Sequence, residues 1–278
     1  MARAVDASAG GAARWRQMIL PTVATGFVVG IAGGLIGLGG AELRLSYLVG
    51  VLLLAPRAAV PVNLAVSLIT VLASLPVRLG NVDSAALMPW LSVVLAITVG
   101  AMLAAYVGAG WLRRIPTAAL ARIIGALLVF LGGVLLIEAA LPLVPAGALP
   151  GDLSPRIAAG VVFGLVIGTI SSLLGVAGGE VIIPTLVIGY GVPIGPAGTL
   201  SLLISLPTII VGMLRHWRTG AFAEAATTKF VILPLALGAL LGAPLGGLLA
   251  AHAPADLIKL ILGGLLIWSA WKVFGKHA

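Results

Sequence analysis

The sequence predicts an all-α integral membrane protein built as two tandem repeats, and three observations carry that prediction. The first is composition. Of 278 residues, 61% are hydrophobic and 9% charged, where a soluble domain is about a quarter charged. No soluble core hides that excess, so lipid is the solvent. The second is span length. Residues 17–41, 58–77, 84–112, 157–179, 181–214 and 230–255 contain no Asp, Glu, Lys or Arg. A hydrocarbon core of ~30 Å takes roughly 20 apolar residues in a helix. The ~10-residue alternation of a membrane strand is absent, so helices satisfy the backbone. The third is self-similarity at an offset of 138 residues. Gly37 falls on Gly175, Gly40 on Gly178 and Glu42 on Glu180. Ser67 falls on Ser205, Gly100 on Gly238, Pro116 on Pro254 and Gly125 on Gly263.

The elements follow in order. Residues 1–16 form an N-terminal arm carrying Arg3, Arg14 and Arg16. The apolar run from Met18 is too long for a signal peptide and lacks a small-residue cleavage site, so it reads as an uncleaved first helix. The first repeat, 17–141, holds long segments at roughly 18–40, 59–77, 86–111 and 118–141, with a short one at 43–54. A Pro- and Gly-rich linker covers 142–155. The second repeat, 156–274, holds long segments at roughly 157–178, 195–214, 226–250 and 256–274, with a short one at 181–190. Residues 275–278 are a tail.

The short segments decide the topology. At ~12 residues they reach about 18 Å as helix and cannot span alone. If each turns back, the halves cross four times and lie parallel. If each completes a crossing, the halves cross five times and are inverted. Cytoplasmic loops are enriched in Lys and Arg. With the N-terminal arm inside, five crossings divide the loop cations 12 to 3, leaving Arg78, Arg156 and Lys259 outside. Four crossings divide them 10 to 5 and expel the Arg113–Arg114 pair. The expectation is therefore an inverted repeat with both termini cytoplasmic, in a plasma or inner membrane.

Two glycine clusters lead into the short segments. They read Gly33-Gly34-Leu-Ile-Gly37-Leu-Gly39-Gly40-Ala-Glu42-Leu-Arg44 and Gly175-Val-Ala-Gly178-Gly179-Glu180. Each helical glycine costs ~1 kcal/mol against alanine, so duplicated clusters predict helix breaks. A break frees backbone amides, and a new helix start attracts anions. Gly39, Gly40, Gly178 and Gly179 are thus candidate substrate-binding positions.

Glu42 and Glu180 are the acids deepest in apolar sequence, with Glu138 nearer a helix end. A charge at the bilayer centre costs at least ~2.5–3.5 kcal/mol. Each glutamate therefore pairs with a cation, stays protonated, or cycles a proton. Arg44 lies two residues after Glu42, and Ile182 stands at its place in the second copy. Arg44 either ties the halves together through Glu180 or faces an anionic substrate. Asn63 and Ser67 share a helix face, matched by Ser201 and Ser205, and Thr70, Ser74 and Thr208 extend those faces. Such donors suit an oxyanion, and they equally serve as packing hydrogen bonds.

Other chemistries find no residues. There is no cysteine, the three histidines are scattered, and no phosphate-binding Gly-x-x-x-x-Gly-Lys loop occurs. No cofactor, metal site or catalytic constellation is expected. The formal charge of +8 belongs to cytoplasmic loops and not to a nucleic-acid surface. Arg215-His216-Trp217-Arg218 and Trp90, Trp111, Trp268 and Trp271 read as interfacial anchors.

The duplicated glycine motif, clearest from Gly175 to Leu186 with Pro184, resembles that of the sulfite exporter family TauE/SafE, also called the toluene-sulfonate uptake permeases. The two-copy layout resembles it too, over nearly the whole chain after residue 17. The first copy departs from the pattern, with Ser46 at the place of Pro184 and charges at Glu42 and Arg44. The resemblance implies ATP-independent movement of sulfite or organosulfur anions. The expectation is a secondary transporter, an exporter, of a small anion such as sulfite or an organosulfur anion, working by alternating access, with the anion and the bilayer as partners and a homodimer left open. The second reading is a proton-coupled cation or metal transporter using the two glutamates.

Overall fold

In the computed structural model the chain is helical wherever it has regular structure among the described residues. These are 9–36, 39–111, 114–141, 147–149, 152–218, 220, 228–249 and a few positions between 260 and 271. The first eight residues of the arm, Gly37, part of the linker, most of the last apolar segment and the tail lie outside them. Six helices among the described residues are long and apolar enough to cross a membrane. The protein is a multi-pass membrane protein.

The elements are α1 (Ala9–Ile36), α2 (Ala41–Gly50), α3 (Pro56–Asn81) and the short α4 (Ser84–Leu87), which leads through a 3-10 turn into α5 (Leu91–Trp111). Then come α6 (Thr117–Ala140), α7 (Leu153–Leu174), α8 (Gly179–Pro184), α9 (Ile194–Arg218) and α10 (Leu233–Leu249). The two short segments begin at Ala41 and Gly179, earlier than hydropathy alone placed them. The reason is that a left-handed glycine, Gly40 or Gly178, directly precedes each helix. They also differ from one another. Pro184 has no N–H to continue the ladder, and the chain passes there into a π turn, Thr185–Gly189. Ser46 stands at the same place in α2, which remains α-helical to Gly50.

Backbone contact between helices governs the packing. Gly26, Gly30 and Gly34 of α1 lie against Leu235, Ala239 and Ala243 of α10, and Gly238, Gly242 and Gly246 of α10 lie against Val23, Phe27 and Ile31 of α1. Gly164 and Gly168 of α7 meet Ile97 and Ala101 of α5, while Gly100 meets Val161. A Cβ at these glycines would overlap the neighbouring backbone. In lipid, where apolar burial drives little, such close approach is what holds helices together. The two interfaces use corresponding positions: Gly26 with Leu235, and Gly164 with Ile97, are related by 138 residues in both members. Between these pairs α3 packs on α9, with α10 beside α3 and α5 beside α9.

The course of α2 places the site. Gly40 sits against Val29, and the Tyr47 and Thr22 hydroxyls are 3.0 Å apart. Seven residues along α2 thus match seven along α1 in the opposite sense, so α2 runs back beside α1. Asn63 of α3 reaches the Ala41 carbonyl, level with the start of α2, while α3 itself begins at Pro56. The break therefore lies well inside the bundle, and α2 returns the chain to the end from which α3 departs. At that end Arg57 donates to the Ile115 carbonyl, and the Arg215 guanidinium lies 4.8 Å over the Tyr106 ring. At the opposite end Arg156 stacks on Trp90 and Tyr190 at 5.6 and 5.5 Å.

Candidate functional site

Both glycine clusters break the chain. Gly39 and Gly40 have φ of 84° and 64°, and Gly175 and Gly178 have 65° and 83°. That left-handed region is open to glycine at little cost. Neither α2 nor α8 has a side-chain cap at its start, so the first-turn amides of both helices lack a capping side chain. Glu42 and Glu180 stand in those first turns, where a helix dipole favours negative charge. Both carboxyls are buried, at 3% exposure each.

The structure gathers most of the candidate residues into one cluster. Arg44 is fully buried. Its Nη2 donates to Ser67 Oγ at 2.9 Å, its Nη1 to Thr70 Oγ1 at 3.1 Å, and its Nε to Asn63 Oδ1 at 3.4 Å. Ser67 and Thr70 are themselves fixed by donating to the Asn63 and Val66 carbonyls, one turn back. A guanidinium has five N–H bonds. Three are used in this way, one on each nitrogen, and each terminal nitrogen carries a second N–H. That is the fork geometry that carboxylate, phosphate and similar oxyanions accept in bidentate fashion.

The carboxyls complete the cluster. Glu42 and Glu180 stand in the first turns at the two breaks, each 3% exposed, and a Cβ on Gly39 of the first break would reach the Ala177 side chain of the second. The break in one half and the break in the other thus abut, each with a buried acid beside it. Asn63 makes a second junction. Its Nδ2 donates to the Ala41 carbonyl at 2.8 Å and to the Leu174 carbonyl at 3.3 Å, joining the start of α2 to the end of α7.

The second copy's polar face does different work. Ser205 donates to the Ala177 carbonyl at 2.7 Å, inside the second break. Ser201 donates to the Gly198 carbonyl at 3.2 Å on its own helix. Ile182, at the position matching Arg44, is a fully buried apolar residue. Ser205 therefore ties α9 to the second break, while Asn63, Ser67 and Thr70 bond to Arg44.

Two residues matter here that sequence reading placed elsewhere. Arg78, assigned to a loop, is buried and donates through Nε and Nη2 to the Gly34 carbonyl, and through Nη2 to the Leu35 carbonyl. It caps the end of α1 just before the break. His216, assigned to an interfacial anchor, is buried at 2% exposure at the corresponding place on α9. The polar face of α3 was the available signal, since Asn63, Ser67, Thr70, Ser74 and Arg78 follow one another at helical spacing.

Membrane-length helices closed around a buried arginine, with two interrupted helices meeting beside it, make a multi-pass membrane transport protein; irregular backbone at this depth is tolerated only inside such a bundle. Comparison with known families makes the assignment specific. The family model "Sulfite exporter TauE/SafE" matches residues 22–273, nearly the whole chain, and the chain belongs to that family. Neither the curated proteins nor the solved structures yield a significant match.

Proposed function

We propose that this protein carries a small monovalent or divalent oxyanion, of the sulfite or organosulfonate type, across the membrane by alternating access. The observation that carries the reading is Arg44. A fully buried guanidinium, held in place by Asn63, Ser67 and Thr70 through one N–H on each nitrogen, is a preorganised oxyanion fork. Gly39 and Gly40, beside the uncapped start of α2, and Gly178 and Gly179, at the second break, bring backbone amides to the same region. The site's full burial makes this an occluded arrangement, open to neither side, which is what alternation between two access states requires.

The helical packing supports inverted repeats. The α1–α10 interface recurs, at positions shifted by 138, as the α7–α5 interface, and α3 meets α9 at the centre. Because α2 runs back beside α1, each half crosses five times in this reading, and the basic end with Arg57 and Arg215 faces the cytoplasm together with both termini. The repeats would then rock about the α3–α9 contact. A positive residue beside the two carboxyls argues against the cation-transport reading, since Arg44 already occupies the charge-compensating position.

The test is flux in proteoliposomes. Wild-type protein is expected to move labelled sulfite or a sulfonate, and Arg44→Ala to lose that movement, with Arg44→Lys intermediate because lysine keeps the charge and loses the fork. Anion flux unchanged in Arg44→Ala would remove Arg44 from the site.

A further inference from the structure

We infer that Glu42 and Glu180 act as one proton-sharing carboxyl pair, and that a second proton joins the pair whenever an anion sits on Arg44, so that anion and proton cross together one for one. The inference rests on the anion reading above and specifies its coupling. Its geometric ground is the juxtaposition of the two breaks: Asn63 joins the Ala41 and Leu174 carbonyls, a Cβ on Gly39 would reach the Ala177 side chain, and both glutamates are buried in the first turns beside them. A carboxylate only accepts hydrogen bonds, and a carboxylic acid donates one. Two buried carboxyls and one buried guanidinium are neutral together only when the carboxyls hold one proton between them.

The charge count follows from the neighbours. On α2 the ionisable groups are Glu42, Arg44 and the Tyr47 phenol, which is engaged with Thr22. On α8 the one ionisable group is Glu180. Facing them, α3 offers Asn63, Ser67 and Thr70, its charged residues Arg57 and Arg78 lying toward its two ends. On α9 the facing residues are serines and a threonine, with Arg215, His216 and Arg218 in its last turn. On α1, residues 17–36 carry no charge, and on α6 Arg122 and Glu138 stand toward opposite ends of the helix. The empty site thus holds one guanidinium, one carboxylate and one carboxylic acid, a net charge of zero. A monovalent anion on Arg44 makes it minus one. A buried, uncompensated charge is strongly unfavourable, and one more proton on the pair restores neutrality. An acceptor is in place, because Glu42 Oε1 is buried without a hydrogen-bond partner. No bond to the substrate forms or breaks: the proton enters from the aqueous phase with the anion, and both leave on the other side.

The experiment uses purified wild-type protein in liposomes with methanesulfonate, which stays monovalent across the pH range and so cannot contribute a proton itself, alongside sulfite. Initial flux is read at zero and at inside-negative clamped potential, with and without a pH gradient, together with a lumenal pH dye. The expected result is flux driven by the pH gradient, rising ~10-fold per pH unit of acidification below saturation as one bound proton requires. It should be insensitive to potential and accompanied by one proton per anion. Glu42→Gln and Glu180→Gln singly retain the coupling, because one titratable carboxyl remains. The double variant, checked for retained folding by size exclusion, carries anion without proton and becomes potential-driven. Wild-type flux that follows potential and ignores pH overturns the coupling and leaves the anion reading standing. No flux of either probe overturns both.

Discussion

The two glycine breaks share a backbone and differ in chemistry. In both, a left-handed glycine starts a short helix, and a glutamate stands in its first turn. Beyond that point the first copy has Arg44, with Asn63, Ser67 and Thr70 bonded to it, while the second has Ile182, with Ser205 bonded to the break's own backbone. The difference teaches that the two breaks share a backbone plan and that only one of them carries a buried cation. Two buried guanidiniums within one cluster would repel. One arginine shared by two carboxyls satisfies the charge count with the fewest buried ions.

The largest expected effect comes from breaking the charged copy. Arg44→Ala leaves the carboxyl pair without its cation and frees Ser67 and Thr70 of their donor. Removing one member of a buried ionic cluster costs roughly 3–5 kcal/mol. Sulfite or sulfonate flux should fall ~100-fold or more, equivalent to at least ~2.7 kcal/mol of lost stabilisation. Ile182→Ala is the matched control: it opens a cavity costing about 2–5 kcal/mol of stability yet keeps flux within ~3-fold once folded protein is normalised. Equal loss of flux in both variants would show that the copies are functionally equivalent.

The next effect bears on the part that the copies share. Gly26→Leu at the α1–α10 contact and Gly164→Leu at the α7–α5 contact force a side chain into the opposing backbone at corresponding positions. Overpacking of this kind costs ~1–3 kcal/mol, or more where backbone cannot yield. Thermal unfolding in detergent should fall by a similar amount for both. A large drop at one interface and none at the other would separate the scaffold symmetry from the packing.

What the sequence disclosed and what it withheld divide along the same line. The glycine breaks, the two glutamates, Arg44 and the Asn63–Ser67 face are all visible as residue types at fixed spacing, and the structure unites them. The partners of Asn63 were not visible, because the carbonyls of Ala41 and Leu174 belong to backbone that every residue possesses. Arg78 looked like a loop cation since it follows the apolar stretch 58–77, but α3 continues through Asn81 and carries it to the Gly34 carbonyl. The exchange of partners between halves, α1 with α10 and α7 with α5, was also hidden. Each glycine stripe announces a close neighbour without naming it.

A smaller effect compares the residues at position 63 and its counterpart. Asn63→Ala removes the acceptor for Arg44 Nε and the donor to both the Ala41 and Leu174 carbonyls. Leaving buried polar groups unsatisfied costs about 1–3 kcal/mol, and a loosened guanidinium should reduce anion flux ~10-fold. Ser201→Ala is expected to change flux less than Asn63→Ala. If the serine variant is the more damaging, substrate contacts lie on α9 and the assignment of chemistry to the first copy fails.

The smallest effect is at Ser205. Its hydroxyl donates to the Ala177 carbonyl, a single neutral hydrogen bond worth about 0.5–1.5 kcal/mol. Ser205→Ala should lower thermal stability by that amount and leave both flux and its pH dependence within ~2-fold of wild type, because no charged group is disturbed. Ser67→Ala, at the corresponding position in the first copy, removes the acceptor of Arg44 Nη2. It should shift anion affinity where Ser205→Ala does not. Measuring the apparent affinity for sulfite in the two variants side by side tests the comparison at its finest scale, since the two serines occupy equivalent places and only one of them touches the guanidinium.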